Sequence, residues 1–225
     1  MDARSARWGI LIVIVVALLA SGATLEARSP GAVHVRGPAD TVTISDAERA
    51  AGARFAADMA PGDRAWIEAA IASARPEAQA LIAKVDGLVE FRTVPGGYPL
   101  GVTMPLIRGD TASFTIELNI GQLDRRRVQD RNAVVLHELG HVVDLSLVPQ
   151  ALDDKLDALI PHTGTCTRTG PVLRGSCTVP MERFADTFAK WALRGAMSSV
   201  GAGYDIAMPP SLEDWGAPLV PLAVS

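Results

Sequence analysis

Residues 135–143 read VLHELGHVV, in which two histidines four positions apart enclose a glutamate. Side chains at positions i and i+4 project from the same face of an α-helix. His137 and His141 can therefore direct both imidazoles at one ion. Glu138 is one position out of line with them, which puts its carboxylate beside the ion, where it can take a proton from water.

The setting of this motif argues against two histidines that only hydrogen-bond or lie on the surface. The predicted helix is apolar on most of its circumference and should be buried; its apolar residues are Val134, Val135, Leu136, Leu139, Val142 and Val143. Burial of two imidazoles and a carboxylate is costly unless they have partners, and a metal ion satisfies all three. We expect one Zn²⁺ ion here, bound by the histidines at about 2.0–2.1 Å.

A catalytic zinc ion of this kind has three protein ligands and an open fourth position, so a third ligand is required. Continuation of the helix to a glycine and a third histidine is excluded, because Asp144 and Leu147 occupy those positions. Residues 181–186 read MERFAD at the start of a later predicted helix. Glu182 and Asp186 share one face of it, so we predict that Glu182 binds the metal and that Asp186 accepts the free N–H of a ligand histidine.

Two alternatives to this ligand assignment follow from the residues. Asp144 lies on the histidine face of the first helix, but at 1.5 Å rise per residue it is about 10 Å along the axis from His137, too far for a straight helix to wrap around one ion. Glu182 and Asp186 would form a solvated acidic face if their helix were exposed. Phe184, Phe188 and Trp191 disfavour that alternative, because they make most of this helix apolar.

The pattern along the rest of the chain predicts an α+β fold in which a small antiparallel or mixed sheet packs on helices. The clearest strand covers residues 112–120, where apolar and polar residues alternate. A second strand is predicted at 88–94, and the tail from Gly195 is expected to wrap the surface. Helices are predicted at 45–59, 63–74, 76–87, 132–145, 152–160 and 180–193.

Over residues 111–193 the chain resembles the gluzincin class of zinc metallopeptidases, which join HExxH on one helix to a Glu on a later helix, with an acidic residue four positions beyond that Glu. The resemblance implies a zincin-like fold, with an edge strand packed on the HExxH helix. Gluzincins place that strand before the helix, and the strand at 112–120 occupies this position. A peptide substrate would then lie along it as an added strand. Because the later helix lacks the Asn that precedes the Glu in thermolysin-like enzymes, no substrate preference carries over.

These residues predict a zinc metalloendopeptidase in which Glu138 is the general base. Such enzymes also use a Tyr or His to stabilise the oxyanion, and Tyr204 is the preferred candidate, ahead of His162 and Tyr98. A zinc hydrolase that acts on a non-peptide substrate stays open, because the same chemistry cleaves other bonds. A non-catalytic binding module stabilised by zinc is the other alternative, although a structural site has no use for Glu138.

Residues 1–27 form a predicted signal peptide or N-terminal membrane anchor. Arg4 and Arg7 precede an apolar run at 9–20, and small residues follow, which suits cleavage after Ala23. The uncleaved segment would be just long enough to span a bilayer, and an ordinary core helix is the third interpretation. Both favoured interpretations place the rest of the chain outside the cytoplasmic membrane, secreted or anchored. Residues 28–44 are predicted to be a linker with one short strand, and 45–225 to be the catalytic domain.

Cys166 and Cys177 are predicted to form a disulfide, because they lie close together in a chain with an export signal. Closing so small a loop stabilises a fold by roughly 3 kcal/mol in the chain-entropy model. Two reduced thiols are the alternative if the chain is not exported.

The charge of the chain bears on its partners. The formal net charge is -4, and no run of Lys and Arg offers a phosphate-binding surface, so nucleic acid is not expected as a partner. The expected partners are a peptide or protein substrate and, through an uncleaved N-terminal segment, the membrane.

Overall fold

The computed structural model describes residues 33–36, 41–44, 54–96, 99–108, 111–169, 172–197 and 204–224. Within these residues the fold is α+β, as predicted. The predicted signal peptide or anchor lies outside the described residues, as do Tyr98 and most of the helix predicted at 45–59. In the described part of the chain no helix is both long enough and apolar enough to cross a membrane.

The helices and strands are numbered here in chain order. The strands are β1 Val33–Arg36, β2 Thr41–Ile44, β3 Arg54–Phe55, β4 Val89–Val94, β5 Gly101–Arg108, β6 Thr111–Asn119, β7 Thr167–Thr169 and β8 Val172–Arg174. The helices are α1 Pro61–Ala72, α2 Pro76–Val85, α3 Ile120–Leu123, α4 Val128–Leu147, α5 Gln150–Ala158, α6 Pro180–Ala192, α7 Leu212–Gly216 and α8 Val220–Val224.

The central sheet is mixed and has the strand order β3-β4-β6-β5. β3, β4 and β6 run parallel, and β5 pairs antiparallel with β6. The alternation that predicted β6 is borne out, because Phe114, Ile116 and Leu118 are buried. β6 nevertheless lies inside the sheet, so the expectation that it would be the edge strand was wrong.

The edge strand beside β6 is β5, which the sequence pattern did not reveal. In its sequence, GVTMPLIR, apolar residues alternate only at Val102, Met104 and Leu106, and Pro105 interrupts the run. A proline removes one backbone donor from a sheet and is therefore confined to edges and bulges. Pro105 is thus compatible with the edge position of β5, although a proline in a sequence argues against predicting a strand there.

The core is built from the sheet and from helices α1, α2, α4 and α6, with α4 in contact with β5, β6 and α6. α4 is buried along most of its length, as its apolar sequence predicts. The helices approach closely at Gly140, where an added Cβ would lie 3.1 Å from the Cα atom of Ala185. This contact brings the start of α6 alongside the HExxH segment of α4.

Three other expectations differ from the structure. The described end of the helix predicted at 45–59 is strand β3 followed by a turn. The segment predicted as a linker with one short strand contains two antiparallel strands, β1 and β2. The tail does not only wrap the surface, because Trp215 is fully buried and its Nε1 donates to the carbonyl oxygen of Leu156 at 3.2 Å. The Gly- and Pro-rich composition of the tail predicts loops, but it does not reveal that the large side chain of Trp215 joins the core.

Candidate metal centre

α4 presents His137 and His141 on one face, as the spacing in the sequence predicts. Both side chains are buried, and their rings meet edge to face with centroids 4.8 Å apart. The two Nε2 atoms are 3.2 Å apart. The helix therefore holds both nitrogens at a separation that a single ion can span.

The third group is Glu182, in the first turn of α6. Its Oε2 atom lies 3.1 Å from Nε2 of His137 and 3.3 Å from Nε2 of His141. Three N and O ligands at about 2.0–2.1 Å from a tetrahedral ion are roughly 3.3–3.4 Å from one another. The three atoms thus form a triangle of the size that such an ion requires, and this donor set fits a metal site.

The charges of Glu182 and of the two histidines shift one another's pKa values. Burial by itself would lower the pKa of His141, but the charge of Glu182 and a hydrogen bond to it raise that pKa to about 9. Burial likewise opposes ionisation of Glu182, but His141 and His137 hold the pKa of this carboxyl well below its usual range. In the metal-free protein, His141 therefore carries a proton that an incoming cation must displace.

Glu138 lies beside this triangle without belonging to it. The cluster of potential ligand atoms among the described residues consists of His137, His141 and Glu182. Glu138 is buried, and its Oε2 accepts a hydrogen bond of 2.8 Å from Oγ1 of Thr103 on β5. Burial raises the pKa of Glu138, although the charges of the two histidines oppose this. A carboxylate with a raised pKa is a better proton acceptor.

Tyr204, the residue proposed from the sequence to stabilise an oxyanion, is at the site. Its ring lies parallel to the imidazole of His137, with centroids 5.2 Å apart and an angle of 8° between the planes. The carbonyl oxygen of Tyr204 accepts a hydrogen bond of 2.9 Å from the N–H of Gly175. His162 is elsewhere: its side chain is 60% exposed and its Nε2 is 2.9 Å from a guanidinium nitrogen of Arg183.

Asp186 does not have the contact predicted for it. The Nδ1 atoms of His137 and His141 are both buried and have no hydrogen-bond partner, so the predicted bond from a ligand histidine to Asp186 is absent. Asp186 instead forms an ion pair with Lys190, one helical turn later on α6. Both charged side chains are almost fully buried, at 0% and 1% exposure. Helical spacing gives the position of Asp186 on α6, but it does not reveal that Lys190 is its partner there.

Asp144, the rejected ligand candidate, is also buried near the site. Its charge is among those that raise the pKa of His141, which places it near this ring. It is not a member of the ligand cluster. Glu182, which comes from a separate helix, completes the triangle instead.

Cys166 and Cys177 form the predicted disulfide, with Cα atoms 5.2 Å apart. Cys177 stands five residues before Glu182, so the bridge ties down the segment that leads into α6. Disulfides of this kind persist in oxidising compartments, and the bridge therefore favours an extracytoplasmic location.

Sequence reasoning missed two residues of the site, Gly101 and Thr103 on β5. Both lie against Glu138, and a Cβ built at Gly101 would be 2.5 Å from its Oε1 atom. The one signal in the sequence is their spacing, since residues two apart on a strand share a face. That signal has meaning only once residues 101–108 are known to be a strand.

Comparison with protein-family models, with curated proteins and with solved structures gives no match to this chain. The likeness to gluzincins therefore depends on the HExxH motif, Glu182 and their positions on α4 and α6. Chemically, the site combines three converging atoms that could hold a metal ion with a separate buried carboxylate and an adjacent aromatic ring.

Proposed function

We propose that this protein is a zinc-dependent metalloendopeptidase of gluzincin type. One observation carries the proposal: the ligand atoms of His137, His141 and Glu182 converge, while Glu138 stands beside them and is bound by a different element. A site built only to hold a structural ion normally fills all four positions with protein ligands. Three ligands and a separate base are the arrangement expected of a hydrolase.

In the proposed reaction, His137, His141 and Glu182 hold one Zn²⁺ ion. When bound, the ion would supply Lewis-acid polarisation of the scissile carbonyl and would make the attacking water more acidic. Glu138 takes a proton from the attacking water and gives it to the nitrogen of the leaving amine, so that the C–N bond breaks and a carboxylate and an amine result. Tyr204 is proposed to donate its phenolic hydrogen to the developing oxyanion.

The free edge of β5 supports a peptide as the substrate. The carbonyl oxygen of Leu100 accepts a hydrogen bond of 2.9 Å from the N–H of Asn119. Because alternate residues of a strand bond to opposite sides, Gly101 and Thr103 direct their backbone groups away from β6. No strand pairs with this outer edge in the described part of the chain. We propose that a peptide adds there as a further strand, next to Glu138, and that Pro105 ends the run of available N–H groups.

The test combines metal analysis with digestion of a peptide library by the full chain after export and processing. We expect one zinc ion per chain, cleavage of internal peptide bonds, and loss of cleavage on removal of zinc. Glu138→Gln should keep the zinc and abolish cleavage. Glu68→Gln is the matched control, because Glu68 is exposed on α1, far in sequence from the motif.

Each outcome distinguishes the proposal from its rivals. A protein that binds zinc but cleaves no peptide, while hydrolysing esters or amides that are not peptides in a Glu138-dependent way, would be a different zinc hydrolase. A protein that binds zinc and hydrolyses nothing would be a zinc-stabilised binding module. Loss of zinc from Glu138→Gln would contradict the role assigned to Glu138 in either case.

We also propose that the protein acts outside the cytoplasmic membrane, secreted or held by its N-terminal segment. The disulfide supports this location. Fractionation of the native host, with the N-terminus sequenced, would distinguish a cleaved leader from an anchor. Recovery of the chain in the cytoplasm with both cysteines reduced would overturn the proposal.

A further inference from the structure

Two residues of β5 contact the same carboxylate. The Oγ1 atom of Thr103 is 2.8 Å from Oε2 of Glu138 and 3.0 Å from its backbone carbonyl oxygen. The hydroxyl therefore links β5 both to the side chain of the base and to the helix that carries it. Since a carboxylate is a charged acceptor, the bond from Thr103 is of the stronger, charge-assisted kind.

Gly101 lies against the other carboxylate oxygen. A Cβ at this position would be 2.5 Å from Oε1, 2.8 Å from Cγ and 2.9 Å from Cδ of Glu138. Distances under about 3 Å are not tolerated between non-bonded carbon and oxygen atoms in a packed interior. Only glycine leaves the space that the side chain of Glu138 now fills.

Both residues project from the face of β5 that is turned to the core. In an antiparallel pair, directly opposed residues share a face. Gly101 is opposite Leu118, and Thr103 is opposite Ile116, both of which are buried. The strand thus presents a gap and a hydroxyl, two residues apart, to one carboxylate of α4.

We propose that Thr103 and Gly101 are positioning residues that fix the carboxylate of Glu138 beside the metal-binding triangle. Thr103 restrains Oε2 by a hydrogen bond, and Gly101 leaves room for Oε1. The outer edge of the same strand is the proposed substrate edge, so one element sets the position of the base and of the scissile bond together. The expected effect on catalysis rests on the proposed function. The expected effect on the position of the Glu138 carboxylate does not depend on it.

The decisive variants are Thr103→Val, which keeps the shape and removes the hydroxyl, and Thr103→Ser, which keeps the hydroxyl. Thr115→Val is the matched control on the neighbouring strand, because Thr115 is opposite Met104 and therefore faces the other side of the sheet. Gly101→Ala tests the second contact independently. All four are compared with the wild-type chain in the zinc-loaded form.

For Thr103→Val we expect kcat to fall about 10–100-fold, with KM changed less than about twofold and the zinc affinity unchanged, because only the base is displaced. Thr103→Ser should recover kcat to within about threefold of wild type. Thr115→Val should have wild-type kcat. Gly101→Ala should lower kcat at full zinc content, because the added methyl pushes the carboxylate out of place. Unchanged kcat in both Thr103→Val and Gly101→Ala would overturn the inference, as would failure of Thr103→Ser to recover activity.

Crystal structures of zinc-loaded wild type and Thr103→Val separate this inference from the proposed function. If Glu138 turns away in the variant, Thr103 positions it, even if the wild-type chain cleaves no peptide and the proposed function fails. If the carboxylate stays in place in the variant, the inference is overturned even for an active peptidase.

Discussion

Gly140 of α4 lies so close to α6 that a Cβ at this position would be 3.1 Å from Cα and 3.2 Å from the carbonyl oxygen of Ala185. The motif HELGH contains this glycine between its two histidines, so a close approach of the helices falls within the segment that carries both histidines. Ala185 is three residues after Glu182, less than one helical turn. The close contact therefore lets a side chain from α6 reach both histidines of α4.

The first prediction concerns the third ligand. Glu182→Ala removes the carboxylate that completes the triangle. Loss of a residue that only supports a ligand lowers metal affinity about 10–100-fold. We expect zinc affinity to fall by more than this in Glu182→Ala, because a ligand itself is lost. Asp144→Ala should lower the affinity less, because Asp144 is not a member of the ligand cluster, although its charge raises the pKa of His141. Titration of each variant with a competing chelator measures both effects. Full zinc retention by Glu182→Ala would remove the gluzincin assignment.

The second prediction concerns the buried pair of Asp186 and Lys190. Asp186→Ala leaves the ammonium of Lys190 buried and without its carboxylate, which destabilises a fold by about 3–5 kcal/mol. The zinc affinity of the folded protein should change little, since Asp186 does not contact a ligand histidine by hydrogen bond. Urea unfolding of the zinc-loaded variant measures the first effect, and chelator titration measures the second.

A matched control is Asp186→Ala combined with Lys190→Met. Removing the unpaired charge should restore much of the lost free energy of unfolding, because replacement of a whole buried pair by apolar groups is often neutral. If Asp186→Ala alone is as stable as wild type, the ion pair contributes nothing to the free energy of unfolding. If Asp186→Ala alone is stable but does not bind zinc, Asp186 supports a ligand histidine, as the sequence predicted.

The sequence predicted correctly that His137, His141 and Glu182 lie together in a group that could hold a metal ion, and it predicted the elements around them less well. Helical spacing alone puts His137 and His141 together, and the apolar residues of α6 correctly indicated that Glu182, which is partly buried, does not lie on a solvated face. β5 could not be predicted, because its strand conformation depends on pairing with β6 and not on its own pattern. For the same reason the contacts of Thr103 with Glu138 could not be predicted from the sequence. The ion pair of Asp186 was missed because helical spacing gives the face of a residue but not which neighbour it prefers there.

The third prediction concerns pH. His141 has a pKa of about 9 in the metal-free protein, above its ordinary value of 6.5. Zinc binds the neutral imidazole, so binding below pH 9 must release this proton. Apparent zinc affinity should therefore rise by about tenfold per pH unit up to about pH 9 and then level off. Glu182 stays ionised over this range, because its pKa is well below the usual value.

The raised pKa of His141 also affects the stability of the metal-free protein, which should fall with rising pH while the zinc affinity rises. A folded-state pKa above the unfolded one contributes stability that is fully present below pH 6.5 and is lost as pH rises towards 9. Chelator-treated protein should thus become easier to unfold by urea between these two values, while zinc binding becomes tighter. Calorimetry in two buffers of different ionisation enthalpy counts the protons released by zinc. Zinc binding without proton release at pH 7 would contradict the assigned state of His141.

The last prediction separates two roles of Tyr204, whose ring covers the imidazole of His137. Tyr204→Phe keeps the ring and removes only the hydroxyl. If the hydroxyl stabilises the oxyanion, kcat should fall about 10²–10³-fold while zinc affinity stays unchanged. Tyr204→Ala removes the ring as well, so the orientation of His137 should also loosen and zinc affinity should fall in addition to kcat. If Tyr204→Phe is as active as wild type while Tyr204→Ala binds zinc weakly, Tyr204 supports a ligand histidine and takes no part in the chemistry, and another donor must stabilise the oxyanion.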